Sequence, residues 1–165
     1  MGGDRMGAFL ERIRENAMSG RGINAEDALT VLSLPQVEIW PLLTVSETVR
    51  RHFKGDQIRL CSIVNAKSGL CSEDCAFCSQ SSRSKASIEK YPLMEEEEMV
   101  MAARDAKQRG AREFSIVTSG LSMQSSRELE RVGSAIARIG TEVGIETCVS
   151  LGTLSAENIS FLLSR

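Results

Sequence analysis

Residues 66–83 read Ala66-Lys67-Ser68-Gly69-Leu70-Cys71-Ser72-Glu73-Asp74-Cys75-Ala76-Phe77-Cys78-Ser79-Gln80-Ser81-Ser82-Arg83. Cys71, Cys75 and Cys78 stand in a C-x3-C-x2-C spacing, tight enough to wrap three thiolates around one face of a cubane iron–sulfur cluster. Such clusters normally take four cysteine thiolates, and nothing beside this loop offers a fourth. One iron would be left open to a ligand that is not protein. That is the mark of a cluster that does chemistry on what it binds. Zinc is the competing reading. Structural zinc usually takes two Cys/His pairs that close a tetrahedron. Here only Cys75 and Cys78 form a C-x2-C pair, and the single histidine, His52, lies well upstream. Cys61 is available as a fourth ligand, but it falls in an apolar run that reads as a strand, where it is expected to pack.

Outward from the loop, the chain alternates. Ile58 to Val64 is apolar and β-branched, a first strand that feeds the cysteines. Met94 to Arg109 reads as a helix, with Glu95 to Glu98 early and Arg104, Lys107 and Arg109 late, a polarity that suits the helix dipole. The acidic run is expected to be a solvated first turn rather than a metal site. Gly110 ends that helix. Glu113 to Thr118 is a second strand, closed by the turn Ser119-Gly120. Ser125-x-x-Glu128 is a capping box for a helix whose Leu129, Val132, Ile136 and Ile139 form a core-facing stripe, with Gly140 as its stop. Gly144 to Leu151 is a third strand, and Ser155 caps a last helix carrying Ile159, Leu162 and Leu163. Repeated βα units imply parallel strands with helical crossovers. Three units cannot close a barrel. The pattern alone allows the opening part of one or an open doubly wound sheet.

Strand parity adds a functional hint. Side chains two apart share a sheet face, so Glu146, Cys148 and Ser150 lie on one face and Ile145, Thr147 and Val149 on the other. On the second strand Glu113 and Ser115 oppose Phe114 and Ile116. The apolar faces should meet helices, leaving Ser115 and Cys148 on the other side. A barrel interior is ordinarily packed with branched apolar residues, so polar side chains there suggest an interior that holds a ligand.

Upstream, residues 5–18 place Met6, Phe9, Leu10 and Ile13 at helical spacing. Asn24 caps a second helix with Ala28, Leu29 and Leu32 on one face. Pro35 and Pro41 punctuate the next stretch, and Val45 and Val49 lead through His52, expected as an exposed helix residue, to a stop at Gly55. The domain division expected is an N-terminal helical segment over 1–56 and the βα units over 57–165.

Composition limits the function classes. A formal charge of −2 gives no polyanion-binding signal, so nucleic acid is not expected as a partner. No stretch approaches the roughly 20 apolar residues of a membrane span, and no membrane association is expected. Met1-Gly2-Gly3 begins like a myristoylation site, but Met6 stands where Ser or Thr is required. Five cysteines with no export signal suggest a reducing compartment, with the cytoplasm as default.

The wider pattern around the cysteines is specific. The spacing is similar to that of the radical S-adenosyl-L-methionine (SAM) superfamily. Asn65-Ala66-Lys67-Ser68-Gly69, Cys71 to Cys78, Ser79-Gln80-Ser81-Ser82 and Cys148-Val149-Ser150-Leu151-Gly152-Thr153-Leu154-Ser155 together resemble the biotin synthase family, from about Ile58 to the C-terminus. The resemblance implies an α/β fold that is the first part of a (β/α)8 TIM-type barrel. It implies a 4Fe–4S cluster on Cys71, Cys75 and Cys78, with SAM chelating the open iron. It also implies one-electron cleavage by a donor such as flavodoxin, and a 5′-deoxyadenosyl radical that takes hydrogen from dethiobiotin before sulfur is inserted. Phe77 resembles the family's aromatic position beside the adenine, against ordinary loop packing. Thr118, Ser119 and Gly120 sit where the superfamily offers backbone groups to the amino end of SAM. Lys67 matches a position near the dethiobiotin site, against a solvent-exposed lysine. Arg83 meets a carboxylate or simply solvent.

Cys148 matches a ligand of the family's auxiliary 2Fe–2S cluster, the sulfur donor; without the resemblance it reads as a small buried hydrophobe. The partner position on the second strand is Ser115, where many members carry Cys. A serine hydroxyl is hard to ionise and ligates iron poorly. Either the auxiliary cluster is held differently here, or sulfur insertion has been lost. Members of the family are longer, and this sequence stops at Phe161-Leu162-Leu163-Ser164-Arg165, within what reads as a helix. A fragment is therefore expected, poorly stable and without turnover alone, and a homodimer when full length. Two other classes compete. One is another radical SAM enzyme of the same branch, of hydrogenase-cluster maturase or mutase type. The other is a non-catalytic module whose loop holds a cluster or zinc for structure.

Overall fold

The computed structural model describes residues 3–123 and 125–165. Met1 and Gly2, which begin like a myristoylation signal, lie outside them. The chain divides into two compact units, Met1–Ile58 and Arg59–Arg165.

The first unit is helical: α1 (Gly3–Met18), α2 (Ala25–Leu32), a 3-10 turn at Gln36–Glu38, and α3 (Ile39–Lys54). Met6, Phe9, Leu10 and Ile13 are buried along one face of α1, packed with Val31, Leu34, Leu42 and Val45. Asn24 caps α2 by accepting from the Asp27 amide at 2.8 Å. Pro41 fits inside the first turn of α3, where its missing N–H costs nothing. His52 is exposed. The expected apolar face of α2 does not turn inward: Leu29 and Leu32 are exposed, and the buried residue of that helix is Asp27. Its carboxylate takes the guanidinium of Arg12 in a two-point pair at 2.6 and 2.9 Å. A charge that is paired at two points can be buried where an unpaired one cannot.

The second unit is built on three parallel strands in the order β1 (Cys61–Lys67), β2 (Glu113–Thr118) and β3 (Glu146–Ser150). Ile58 to Leu60 do not join β1, because β2 begins at Glu113 and its register partner is Cys61. Gly144 and Ile145 likewise precede β3. Rows run Cys61–Glu113–Glu146, Ile63–Ser115–Cys148 and Asn65–Val117–Ser150. The register slips at Ala66, between Asn65 and Lys67.

One sheet face is covered. Val64, Ala66, Phe114, Ile116, Val149 and Leu151 pack in one core with α4 (Glu96–Gln108), α5 (Ser126–Arg138) and α6 (Ala156–Leu163). α4 supplies Met99, Val100, Ala103 and Ala106, and α5 supplies Leu129, Val132 and Ala135. α6 lies against Gly133, where an added Cβ would stand 2.7 Å from the Phe161 ring. Of the α6 apolar residues, Leu162 is buried while Ile159 and Leu163 are exposed.

Gly140 does not stop α5. The helix widens into a π turn, Ile139–Val143, and ends at Gly144 in the left-handed region at φ 66°. The Lys107 ammonium donates to the carbonyls of Val143 and Gly144, satisfying groups that a helix end leaves free. The acidic start of α4 is paired rather than merely solvated. Glu98 reaches back to the Glu95 amide at 2.8 Å, and Arg138 meets Glu96 and Glu97 at 2.9 Å each. No single helix among the described residues is long and apolar enough to cross a membrane.

The Arg12–Asp27 pair makes a pH-dependent contribution. Hydrogen bonding from Arg12 holds the Asp27 carboxyl below its ordinary 3.8, against a smaller upward push from burial. A carboxyl with a depressed folded-state pKa stabilises the fold fully above its unfolded value, and that stabilisation is lost as pH falls through the folded one. Circular dichroism melts of the whole chain between about pH 5 and pH 2 should show stability falling below about pH 4, with a shallower fall in Asp27→Asn. Matching profiles would mean the pair contributes nothing.

Candidate functional site

The site is built at the C-terminal ends of the strands, where βα units place their chemistry. β1 runs into a neck that the chain closes with its own hydrogen bonds. The Ser68 and Tyr91 backbones exchange a pair at 3.1 and 3.2 Å. The Gln80 side-chain oxygen accepts from the Gly69 amide at 2.6 Å. The Cys71 amide donates to the Gln80 carbonyl at 3.1 Å, and the Ser82 amide to the Cys71 carbonyl at 2.9 Å. The cysteine loop is thus tied where it leaves and where it returns. Inside it, the Cys78 amide donates to the Cys75 carbonyl at 3.0 Å, a turn that brings the C-x2-C pair round. The entry needs two successive positive φ values, 77° at Gly69 and 57° at Leu70. A Cβ at Gly69 would also stand 2.7 Å from Lys90 Cγ.

Cys71, Cys75 and Cys78 line one open cavity of about 650 Å³. The same cavity is lined by Val117, Thr118, Ser119, Gly120 and Leu121 from the end of β2, a second stretch of wall, with Gly152 and Thr153 beyond β3. The structure therefore brings together the three cysteines and Thr118-Ser119-Gly120. It does not bring Phe77 or Lys67 to the wall. Phe77 is 96% exposed, and the Lys67 ammonium meets both carboxylate oxygens of Glu128, at 2.9 and 3.0 Å. That contact takes the Glu128 side chain away from the reciprocal half of the expected capping box; the Ser125 hydroxyl still accepts from the Glu128 amide at 3.4 Å. Arg83 lies beside Asp74, both exposed, at 3.5 Å.

Ser115 and Cys148 are register partners in the row of Ile63, which itself lines the cavity, on the sheet face that the helices do not cover, as parity required. Ser115 Oγ and Cys148 Sγ are 3.0 Å apart. Ser115 is buried and Cys148 exposed. Cys61, expected to pack, is exposed on that same face, because odd-numbered β1 residues point away from the helical layer.

The donor set suits a thiolate-held cluster. All five cysteines are free thiols, and three of them share a cavity wall with ample room. Among the described residues, no three Cys, His, Asp or Glu side chains are drawn round a common point as a metal ion would require. Sequence reasoning gave no site role to Asn65, Gln80, Glu128 or Gly152. Asn65, Gln80 and Gly152 stand in it only as members of a resemblance, and Glu128 only as a capping residue. Gly152 sits at φ 75°, and a Cβ there would stand 2.2 Å from the Leu121 carbonyl oxygen. That carbonyl accepts from the Thr153 amide at 2.8 Å.

No family model matches the sequence. The chain is 42% identical over 154 residues to a biotin synthase from Geotalea daltonii, covering 93% of this chain and 47% of that protein. It is 40% identical over 157 residues to one from Pelobacter propionicus, covering 95% and 48%. It is 48% identical over 127 residues to one from Thermodesulfovibrio yellowstonii, covering 77% and 40%. The chain is therefore related to the N-terminal part of biotin synthases, and spans under half the length of these relatives. Among solved structures, HydG, a maturase of the FeFe-hydrogenase, superposes with a TM-score of 0.71 over 99% of this chain and 38% of that one, at 15% identity. At that identity the likeness speaks to fold alone.

Gly152 is the most demanding position of the second wall. Gly152→Ala combines a left-handed backbone with a collision against a backbone carbonyl, so we expect a loss of about 1–3 kcal/mol in urea unfolding. Unchanged stability would show that the Gly152–Leu121 approach is not needed.

Proposed function

We propose that this chain is the N-terminal part of a biotin synthase, the radical SAM enzyme that converts dethiobiotin to biotin in the last step of biotin formation. The observation that carries the reading is the placement of Cys71, Cys75 and Cys78 on one wall of a cavity at the C-terminal ends of three parallel strands. In this reading residues 57–165 are the first three βα units of a (β/α)8 barrel, and 1–56 are a helical segment before it. The electron donor is of flavodoxin type, and the enzyme works in the cytoplasm.

The Cys71, Cys75 and Cys78 thiolates would hold a 4Fe–4S cluster, leaving one iron for SAM. When bound, the cluster and SAM supply the one-electron chemistry that removes hydrogen from an unactivated carbon. The protein's part is geometric. The neck at Ser68, Gly69 and Gln80 fixes where the cysteine loop starts and ends. The Thr118-Ser119-Gly120 wall presents backbone groups to the cavity, where the amino end of SAM would lie. Phe77 would have to fold in from solvent to meet the adenine. On the uncovered sheet face, Cys148 would serve an auxiliary cluster. Ser115 would contribute a hydroxyl beside that thiol rather than a metal bond, because a neutral hydroxyl 3.0 Å from sulfur is a hydrogen-bonding neighbour.

A radical SAM enzyme of maturase type is the second reading, because the fold shared with HydG does not by itself separate the two. Identities of 40–48% to biotin synthases weigh toward the first.

Anaerobic reconstitution with iron and sulfide, followed by electron paramagnetic resonance of the reduced protein, tests the site. We expect a 4Fe–4S signal that changes on addition of SAM and is absent in Cys75→Ala. Bound zinc, or a cluster indifferent to SAM, would make the loop structural and overturn the enzymatic reading.

A further inference from the structure

Lys67 grips both ends of the segment that forms the cavity's second wall. At the near end, just past β2, the Ser119 amide donates to the Lys67 carbonyl at 2.9 Å, and the Ser119 hydroxyl donates to the Gly69 carbonyl at 2.9 Å. At the far end, in the first turn of α5, Glu128 accepts from the Lys67 ammonium with both carboxylate oxygens. Gly120 and Leu121, on the cavity wall, lie between these two attachments; Ser119 is the first of them, and Thr118, the last residue of β2, leads into it.

The pair is unlike an ordinary surface bridge, which contributes little. It joins residues 61 apart in sequence, and the side chains are only 34% and 27% exposed. Each partner stands on a rigid element. The Lys67 backbone ends β1, and Glu128 lies in a capped helical turn whose dipole favours a carboxylate there. The wall segment is thus strung between a strand and a helix that the ion pair holds at a fixed separation. The ammonium is already committed to Glu128, so a direct role for Lys67 toward dethiobiotin would require breaking that pair.

We propose that Lys67 and Glu128 are positioning residues that staple the Thr118–Leu121 wall in place for the α-amino carboxylate end of SAM, with Glu128 acting only through Lys67. The proposal rests on the reading of that wall as a SAM surface. It assigns the lysine to the wall instead of to the substrate.

The test uses Glu128→Gln, Lys67→Gln, and the swap that combines Lys67→Glu with Glu128→Lys. Two readouts are taken: amide hydrogen exchange across Ser119 to Met123 in the chain as isolated, and a SAM titration of the reduced, reconstituted protein by electron paramagnetic resonance. Each single variant should speed exchange in that segment and weaken SAM about tenfold, the lower range for loss of a contact behind a ligand site, with iron content unchanged. The swap should restore both. It places a cation at the positive end of α5, so recovery is judged on exchange and affinity rather than on melting temperature. Faster exchange with unchanged SAM affinity would show that the wall is not positioned for the ligand. A swap that restores exchange but not affinity would show that the ammonium itself meets the ligand. Either result overturns the proposal. A parent chain that takes up the cluster and never responds to SAM would instead overturn the reading of the wall, and the staple's purpose with it.

Discussion

The second unit depends on burying one face, and only one, of a three-stranded parallel sheet. Phe114 and Ile116 of the middle strand are almost wholly buried under α4 and α5. Side chains of this size contribute about 1.5–3 kcal/mol each when buried, and truncating them typically costs more because a cavity is left. Strand parity then decides the rest. Once even-numbered residues of β1 and β2 face the helices, Ile63, Asn65, Ser115 and Val117 must face away. The chemical content of the free face is a consequence of where the apolar residues went.

The cysteine loop is held by a different kind of force. Its neck is made of backbone and amide hydrogen bonds around Gln80, Ser68 and Cys71, each worth about 0.5–1.5 kcal/mol net. Against them stands Leu70 at φ 57°, a left-handed conformation that costs a branched residue about 1–2 kcal/mol. Several bonds against one strained residue leave the neck closed by the polypeptide itself. Ordering of the loop's ends is therefore not left to whatever the thiolates bind, which lowers the entropic cost of binding.

The sequence carried the order of strands and helices in the second unit, the span of β2, the parity of β2 and β3, and the three-cysteine loop, because each is a local pattern. What it hid were contacts between distant residues. Ser125-x-x-Glu128 reads as a closed capping box, but a lysine 61 residues away takes the carboxylate. Gly140 reads as a stop, but Lys107 from α4 supports one more turn and moves the stop to Gly144. Leu29 and Leu32 read as one apolar face, but both are exposed, and the residue of that helix that is buried is Asp27, paired with the Arg12 guanidinium from α1. In the first two cases a side chain from another element outweighed a propensity that is worth about 1 kcal/mol or less.

The free sheet face is graded along the strands. At its lower end Glu113 and Glu146 stand directly opposite each other, an arrangement that repels on its own. Arg59 meets them at 3.0 and 2.6 Å and turns the repulsion into a cross-strand tie. One row up, Ser115 and Cys148 satisfy each other. At the top, Asn65, Val117 and the loop thiols open into the cavity. A face meant only for solvent would not carry Ile63 and two thiols, and a face meant for an apolar core would not carry two carboxylates and a guanidinium. The face therefore runs from neutralised charge below, through a hydroxyl–thiol pair, to free thiols above, a gradient set by which residues the three strands had to turn away from the helices.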